Sequence, residues 1–209
     1  MAREGWIFLG PALAVIALGA VLTRFGHPIF GWILLIVGAL ATLAFAYFFR
    51  DPERQAPEDA DAVIATSDGK IIIVAPRATG GTQIDTFLSV FDVHVNRAPV
   101  SGVVKESQHR PGRFLVAYEK EAGLRNERHD LVIDSPLGTI RSAQIAGILA
   151  RRIICRPKAG DTVSKGERIG MIRFGSRAEV IVPDGFAPAV KLGDRVRAGE
   201  TILARRTRA

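Results

Sequence analysis

The sequence predicts a mainly β soluble domain, barrel-like or sandwich-like and with repeated hairpins, preceded by an N-terminal α-helical membrane hairpin. Most of the apolar weight lies in the first fifty residues, whereas short β-branched runs punctuated by Gly, Pro and Asp follow. A ten-residue pattern also occurs twice near the C-terminal end. We therefore expect a membrane-anchoring hairpin over residues 1–50, a polar linker over 51–61 and the β domain over 62–209.

The hairpin is predicted from two uncharged apolar segments, residues 6–23 and 29–49. Each approaches or reaches the roughly 20 residues that a membrane-spanning helix needs. The link "RFGHP" between them is so short that the helices must run antiparallel, each satisfying its own backbone hydrogen bonds. A cleaved signal peptide is the alternative for the first segment, but the second segment follows too closely to favour it.

Charge predicts the side of the membrane and the kind of partner. Two crossings place the N-terminus and the β domain on one side, and Arg3, Arg50 and Arg54 favour the cytoplasmic side of the cell (inner) membrane; Arg24 argues weakly against it. The net charge of +7 predicts an anionic partner. Because no nucleic-acid motif is present, we expect lipid and no nucleic acid. The single Cys155 excludes an internal disulfide and a multi-cysteine metal site, and no metal is predicted.

The β domain is predicted from its β-branched runs. Residues 82–91 fit either a helix or a strand. The runs that predict strands are "KIIIVAP" (70–76), "FDVHVNRAPVSGVV" (91–104), "RFLVAY" (113–118), "HDLVIDSPLGTIRSAQI" (129–145) and "AEVIVP" (178–183). Many short strands separated by turn residues are typical of a barrel or sandwich.

The repeated pattern reads Gly-Asp-x-Val-x-x-Gly-Glu-x-Ile and begins at Gly160 and again at Gly193. It predicts two related hairpins and resembles the hammerhead sandwich of biotinyl and lipoyl carrier domains. Such carriers present a lysine between the copies, whereas the first lysine after the first copy here is Lys191. A membrane-anchored hammerhead binding or adaptor module without catalysis is the alternative function.

The segment between the copies contains the pair Gly175-Ser176, in "MIRFGSRAEVIVP" (171–183). Most Gly-Ser pairs are turns. A serine hydroxyl can also attack the preceding peptide carbonyl, and glycine suits that position because it tolerates unusual backbone angles. Such an attack needs a base for the hydroxyl proton and donors for the oxyanion.

Further motifs accompany this pair in order along the chain, and together they resemble the phosphatidylserine decarboxylase family, in its short bacterial and archaeal, pyruvoyl-dependent type. The matching pieces are "FFRDPER" (48–54), "SDGKI" (67–71), "SVFDVHVNRAPVSG" (89–102), "NERH" (126–129) and "FGS" (174–176).

The resemblance implies self-cleavage at Gly175-Ser176 and a covalent pyruvoyl cofactor derived from Ser176. Ser176 attacks the Gly175 carbonyl, the resulting ester eliminates, and the new terminus becomes a pyruvoyl group with release of ammonia. Fragments 1–175 and 176–209 then form a heterodimer, with higher oligomerisation left open. The ketone condenses with the amine of membrane phosphatidylserine as a Schiff base and accepts electrons as CO₂ leaves. A pyruvoyl decarboxylase of a free amino acid is a third reading, which leaves the hairpin unused.

The resemblance also implies roles for individual residues. Asp68 matches the family's acid in self-cleavage, and His94 matches its acid-base histidine. A second family histidine is replaced here by Arg97, so the base that activates Ser176 is left open between His94 and His129. Asn96 and Arg97 are expected to orient the lipid head group, although a solvated strand face explains them equally well.

Overall fold

The computed structural model describes residues 1–118, 122–148, 152–173 and 175–207. The chain divides into two compact units, Met1–Pro52 and Glu53–Ala209.

The first unit consists of two apolar helices, as predicted. Helix α1 (Trp6–Arg24) follows a 3₁₀ turn at Arg3–Gly5, and helix α2 (Pro28–Phe48) begins at a proline, which suits the first position of a helix. Both helices are long and apolar enough to cross a membrane. They pack closely because a glycine of α1, Gly19, faces the backbone of α2, where a side chain would not fit.

The second unit is mainly β, which confirms the predicted fold class. Apart from the short helix α3 (Ala122–Arg125), its described regular elements are strands. These are β1 (Ala62–Ile64), β2 (Gly69–Pro76), β3 (Thr82–Leu88), β4 (Val95–Arg97), β5 (Gly102–Arg110), β6 (Arg128–Ser135), β7 (Gly138–Ile145), β8 (Ile153–Cys155), β9 (Thr162–Val163), β10 (Arg168–Ile172), β11 (Ser176–Val182), β12 (Phe186–Pro188), β13 (Arg195–Val196) and β14 (Ile202–Arg206).

In the described part of the chain, these strands form one curled eight-stranded sheet and two three-stranded sheets. The large antiparallel sheet has the order β13-β2-β3-β11-β7-β6-β5-β9, and the small sheets have the orders β1-β14-β12 and β4-β10-β8. One face of the large sheet is apolar and forms the main core, with Ile84, Leu131 and Val180 among its fully buried side chains. Burial of such side chains is the main source of stability in the β unit.

The opposite face of the large sheet carries charged side chains in register. Arg177 of β11 pairs with Asp85 of β3. Arg128 of β6 pairs with Glu179 of β11 at 2.7 Å. Each arginine thus reaches a carboxylate on another strand, so the ion pairs tie the strands together across the sheet.

The two copies of the repeated pattern form similar pairs of strands, but not the expected hairpins, because the two strands of each copy lie in different sheets and do not pair with each other. The first copy forms β9 and β10, and the second forms β13 and β14. β9 and β13 close the two ends of the large sheet, whereas β10 and β14 each lie at the centre of one small sheet. The two copies therefore occupy corresponding places in the fold.

One segment that the sequence left open is a strand, and two segments that were expected as strands are not. Residues 82–91 contain a strand, β3. Residues 113–118 do not form the expected strand, because the Asn126 side chain bonds both the N–H and the C=O of Leu115 at 2.8 Å in place of a neighbouring strand. Residues 91–94 precede β4 as a loop. Within the expected linker, Arg54 and Asp59 contact the β unit through Asp68 and Arg205.

Candidate active site

Ser176 begins β11, the strand between β3 and β7 near the middle of the large sheet. It lies opposite Leu88 of β3 and is fully buried. Its hydroxyl oxygen makes no hydrogen bond to another described residue. A buried polar atom without a partner is destabilising, so it calls for a functional explanation.

The residue before it, Gly175, has φ +61°, in the left-handed region that favours glycine. Among the described residues other than its chain neighbours, no heavy atom lies within 4 Å of the position that a Cβ would take. The requirement for glycine is therefore conformational and not steric. The first residue of the motif "FGS", Phe174, lies outside the described residues.

The Gly175 carbonyl oxygen lies against a second glycine, Gly147, in the loop after β7. A Cβ at Gly147 would overlap that oxygen, and it would also lie 3.1 Å from Cβ of Ala117. Segments 114–118 and 146–148 therefore meet beside the Gly175–Ser176 peptide. This close approach needs a residue without a side chain at position 147.

Asn126 holds these two segments together. Its buried side-chain amide donates 2.8 Å hydrogen bonds to the carbonyl oxygens of Leu115 and Ala146. Its carbonyl oxygen accepts from the Leu115 N–H. Both N–H donors of the amide and one acceptor position of its oxygen are thus used, and these hydrogen bonds fix the segments on both sides.

His94 lies next to the strand that leads to the Gly175–Ser176 peptide. Its carbonyl oxygen accepts a 3.4 Å hydrogen bond from the N–H of Ile172, four residues before Ser176, and the side chain is fully buried. The His94 Nδ1 atom lies 2.9 Å from the Asp92 carbonyl oxygen. Because a carbonyl only accepts, Nδ1 carries a hydrogen, and the neutral ring has its lone pair at Nε2. This arrangement suits acid-base chemistry at Nε2.

Asp68 immediately precedes β2 and lies at the same end of the large sheet as Ser176. Both carboxylate oxygens bond the Arg54 guanidinium, at 2.6 and 2.9 Å, and one also accepts from the Ala198 N–H at 2.8 Å. β3 separates β2 from Ser176, and two strand spacings amount to about 10 Å. The three hydrogen bonds from Arg54 and Ala198 hold the carboxylate in a fixed orientation, and the Arg54 charge balances its own.

Asn96 and Arg97 are both buried in β4 and both have protein partners. The Asn96 side chain donates to the Thr66 carbonyl at 3.4 Å and accepts from Gln144 Nε2 at 2.7 Å. Arg97 donates to the Gly166 carbonyl at 2.9 Å. These contacts are not those of a solvated strand face, which was one of the two interpretations of this pair.

His129 lies on β6, and β7 separates it from β11. Its Nε2 atom is 2.9 Å from Ser107 Oγ, whose own hydrogen is directed to the Pro157 carbonyl at 2.7 Å. His129 Nε2 therefore donates. Burial lowers the pKa of His129, and the positive charge of His109 lowers it further. The structure thus brings His94, but not His129, next to the chain leading to Ser176.

A cavity of about 620 Å³ lies on the charged face of the large sheet, and Ser176 is not among its lining residues. Arg177, which follows Ser176, does line it and pairs there with Asp85. Burial raises the pKa of Asp85 to about 6; the Arg177 charge opposes this shift and the Glu179 charge reinforces it. Among the described residues, no group of three or more His, Cys, Asp or Glu side chains could hold a metal ion.

Sequence reasoning missed four residues that the structure places around the predicted ones. Arg54 and Asn126 lie inside the motifs "FFRDPER" and "NERH", so the sequence did mark these two residues. Their hydrogen-bonding partners lie in other segments, and the motifs did not indicate which residues they would bond. Gly147 and Gln144 carried no signal in the sequence. Gln144 is buried, bonds Asn96, and has a carbonyl oxygen without a partner among the described residues.

Comparison with known proteins gives one family. The family model described as phosphatidylserine decarboxylase matches residues 41–204. A phosphatidylserine decarboxylase proenzyme of Beijerinckia indica is 46% identical over 212 residues, covering 97% of this chain and 88% of that protein. Proenzymes of the same name from Nitratidesulfovibrio vulgaris (44% identity, 84% of each chain) and Paraburkholderia phymatum (41%, 98% and 96%) are also similar.

Proposed function

Because this chain belongs to the phosphatidylserine decarboxylase family, we propose that it decarboxylates phosphatidylserine to phosphatidylethanolamine with a pyruvoyl group that it makes from its own Ser176. The observation that carries the proposal is the Gly175–Ser176 peptide. It combines a left-handed glycine, a buried serine hydroxyl without a described partner, and a carbonyl oxygen held against Gly147.

The proposed self-cleavage begins when Ser176 Oγ loses its proton to a base and attacks the Gly175 carbonyl carbon. The C–N bond breaks, the nitrogen takes up a proton, and an ester replaces the amide. Loss of the Ser176 Cα proton and of the Gly175 carboxylate leaves dehydroalanine. One water then replaces its nitrogen, ammonia departs, and the new terminus is a pyruvoyl group. We propose His94 as the base, because its backbone contacts Ile172 in the segment leading to Ser176, whereas β7 lies between His129 and β11.

The strand order explains how the two fragments would stay together. Fragment 176–209 would contain β11 to β14. β11 lies between β3 and β7, β13 pairs with β2, and β14 pairs with β1, so each of these three strands retains a partner in the larger fragment. Cutting one peptide at the start of β11 breaks none of these ladders, and a heterodimer of fragments 1–175 and 176–209 follows.

In decarboxylation, the pyruvoyl group would supply an electron sink for the departing carboxylate. His94, in its protonated form, would return a proton from Nε2 to the substrate carbon. Asn96 and Arg97 would act near the serine head group, with Asn96 held in place by Gln144 at 2.7 Å. Asp68 would contribute a fixed negative charge to self-cleavage.

The two apolar helices would anchor the chain in the cell membrane, where its substrate lies. We propose that the β unit faces the cytoplasm, because Arg3 precedes the first apolar helix and Arg50 follows the second, and cationic residues favour the cytoplasmic side. Protease digestion of right-side-out and inverted vesicles tests this: only the inverted vesicles should release β-unit peptides.

The central experiment compares wild type with Ser176→Ala by intact mass and by denaturing gel. Wild type should give two fragments, divided between residues 175 and 176, and the smaller should carry a carbonyl that reacts with hydroxylamine. Ser176→Ala should remain one chain and release no CO₂ from carboxyl-labelled phosphatidylserine. Ser142→Ala, which alters another buried serine of the large sheet, is the matched control and should be cut. An uncut, folded wild-type chain would overturn the proposal.

A further inference from the structure

Three loops that surround the Gly175–Ser176 peptide expose large apolar side chains. We call these side chains the apolar rim: Val90 and Phe91 in the loop after β3, Val116 and Tyr118 after β5, and Ile148 after β7. Phe91, Tyr118 and Ile148 are 70, 67 and 57% exposed. Exposed apolar clusters of this kind mark surfaces that contact a membrane or another protein.

Contacts place the three loops around the same peptide. Gly147, beside Ile148, lies against both Ala117 and the Gly175 carbonyl oxygen. The Tyr118 ring packs edge-on against Phe87 at 6.1 Å, and Phe87 is the β3 partner of Arg177. The loop with Val90 and Phe91 begins directly after Leu88, the β3 partner of Ser176.

The charges near the rim favour an anionic lipid surface. Arg113, Arg125 and Arg152 are exposed and flank the loops in the chain. In the described residues of the rim loops (89–93, 113–118 and 146–148), the only carboxylate is Asp92, which is already bonded by Ser89 and Arg195. In the sequence, Tyr118 is followed by Glu119, Lys120 and Glu121, so the excess of cations comes from Arg113, Arg125 and Arg152. Exposed apolar side chains flanked by cations suit the interface of an anionic bilayer.

We propose that the apolar rim inserts into the bilayer around the active site, so that phosphatidylserine passes from the leaflet to residue 176 without entering water. This inference rests on the proposed function and adds a second membrane contact to that of the helical hairpin. A lipid substrate needs such a path because its acyl chains would otherwise be exposed to water while its head group reaches the buried residue 176.

The test places one fluorophore in the full-length chain in nanodiscs that contain phosphatidylserine. Phe91→Cys and Ile148→Cys are labelled in a Cys155→Ala background, with Val103→Cys as control, because Val103 is 41% exposed at the opposite end of the large sheet. Lipids brominated in their acyl chains should quench the labels at 91 and 148 severalfold more than the label at 103. Equal, weak quenching at all three positions would overturn the proposal. So would label signals that depend on protein concentration and not on bromine, since the rim would then pack against a second copy of the chain.

Each labelled chain is measured with Ser176 present and with Ser176→Ala. Quenching at 91 and 148 in both forms supports the rim even if wild type proves uncut, which would refute only the proposed function. In the cut enzyme, Phe91→Ser together with Ile148→Ser should lower the ratio of activity on long-chain phosphatidylserine in bilayers to activity on a short-chain, dispersed analogue by about tenfold or more. The same ratio in Val103→Ser should equal that of wild type, and an unchanged ratio in the rim variant would refute the rim's role in substrate uptake.

Discussion

Asp68 and Ser101 occupy equivalent positions in the two halves of the β unit. Ala198 N–H donates to Asp68 at 2.8 Å, and Lys165 N–H donates to Ser101 Oγ at 2.8 Å. Each donor precedes the second glycine of one copy of the repeat, Gly199 or Gly166.

The equivalence extends to the backbone around these residues. Gly199 and Gly166 donate to the carbonyl oxygens of Ala65 and Ala98 at 2.8 and 2.9 Å, three residues before Asp68 and Ser101 respectively. A serine thus meets the needs of the turn in one half. Among the described hydrogen bonds and ion pairs, Ser101 has no counterpart to the charge of Asp68 or to its partner Arg54. The turn therefore does not require a charged residue at this position.

Asp68→Ser separates these two roles. Because serine supports the equivalent turn, the hydrogen bond from Ala198 should persist, whereas the negative charge is lost. We expect the chain to fold but to remain uncut, as judged by intact mass. Arg54 would be left buried without its anion, at a penalty of about 3 kcal/mol. Arg54→Met combined with Asp68→Ser should relieve that penalty and still be uncut, and rapid cleavage of this double variant would contradict a role for the charge.

Gly147→Ala tests the contact with the Gly175 carbonyl oxygen. The added Cβ would overlap that oxygen, so the scissile carbonyl must move, and we expect self-cleavage to slow by about tenfold or more. The measurement is the rate of fragment appearance during synthesis in a cell-free system.

Gly102→Ala is the matched control for Gly147→Ala. Its Cβ would overlap the Asp134 carbonyl oxygen at the far end of the large sheet, which is the same kind of clash. Gly102→Ala should lower stability but leave the cleavage rate of the folded chain close to wild type. Equal slowing in the two variants would indicate a general folding defect.

The sequence allowed the types of the regular elements to be predicted better than the contacts between segments around Ser176. The apolar segments predicted the two helices, and the repeat predicted two similar pairs of strands, because both patterns act locally. The expected hairpins did not form, because each of those strands pairs with a strand from elsewhere in the chain. The strand expected at 113–118 did not form, because Asn126 satisfies the backbone of Leu115 from a distance in sequence. Gly147 and Gln144 were missed for the same reason: their significance lies in contacts between segments, with Gly175 and Asn96, that no local pattern records.

His94→Gln and His129→Gln distinguish the two proposed bases. His129 Nε2 donates to Ser107, and β7 separates it from β11, so we expect His129→Gln to be cut and active. His94→Gln should remain largely uncut, because the proposed base for Ser176 is gone, and any cut fraction should lose decarboxylation by about 100-fold or more, because the proton donor to the substrate carbon is gone. The readouts are CO₂ release and intact mass. A folded but uncut His129→Gln chain would instead identify His129 as the base.

Asp85 predicts a pH dependence of stability on the face of the large sheet opposite the core. Burial raises the pKa of this carboxyl from 3.8 to about 6, so in that pH interval the folded chain binds a proton that the unfolded chain has released. The stabilisation is complete below about pH 4 and is lost as the pH rises through about 6. In Asp85→Asn the side chain stays neutral at every pH. The loss of its ion pair with Arg177 therefore changes the free energy of unfolding by the same amount throughout this pH range.

Relative to Asp85→Asn, the free energy of unfolding of the parent chain should therefore fall by about 2 kcal/mol between pH 4 and pH 7. The comparison uses the uncut Ser176→Ala background in detergent, with urea unfolding followed by far-ultraviolet circular dichroism, because Trp6 and Trp32 both lie in the helical hairpin and do not report on the β unit. Asp134→Asn, at a half-exposed carboxylate, controls for the loss of one charge. A parallel pH profile for the parent and Asp85→Asn would show that the Asp85 carboxylate stays ionised beside Arg177, and the strand that carries Ser176 would then be anchored by a permanent ion pair.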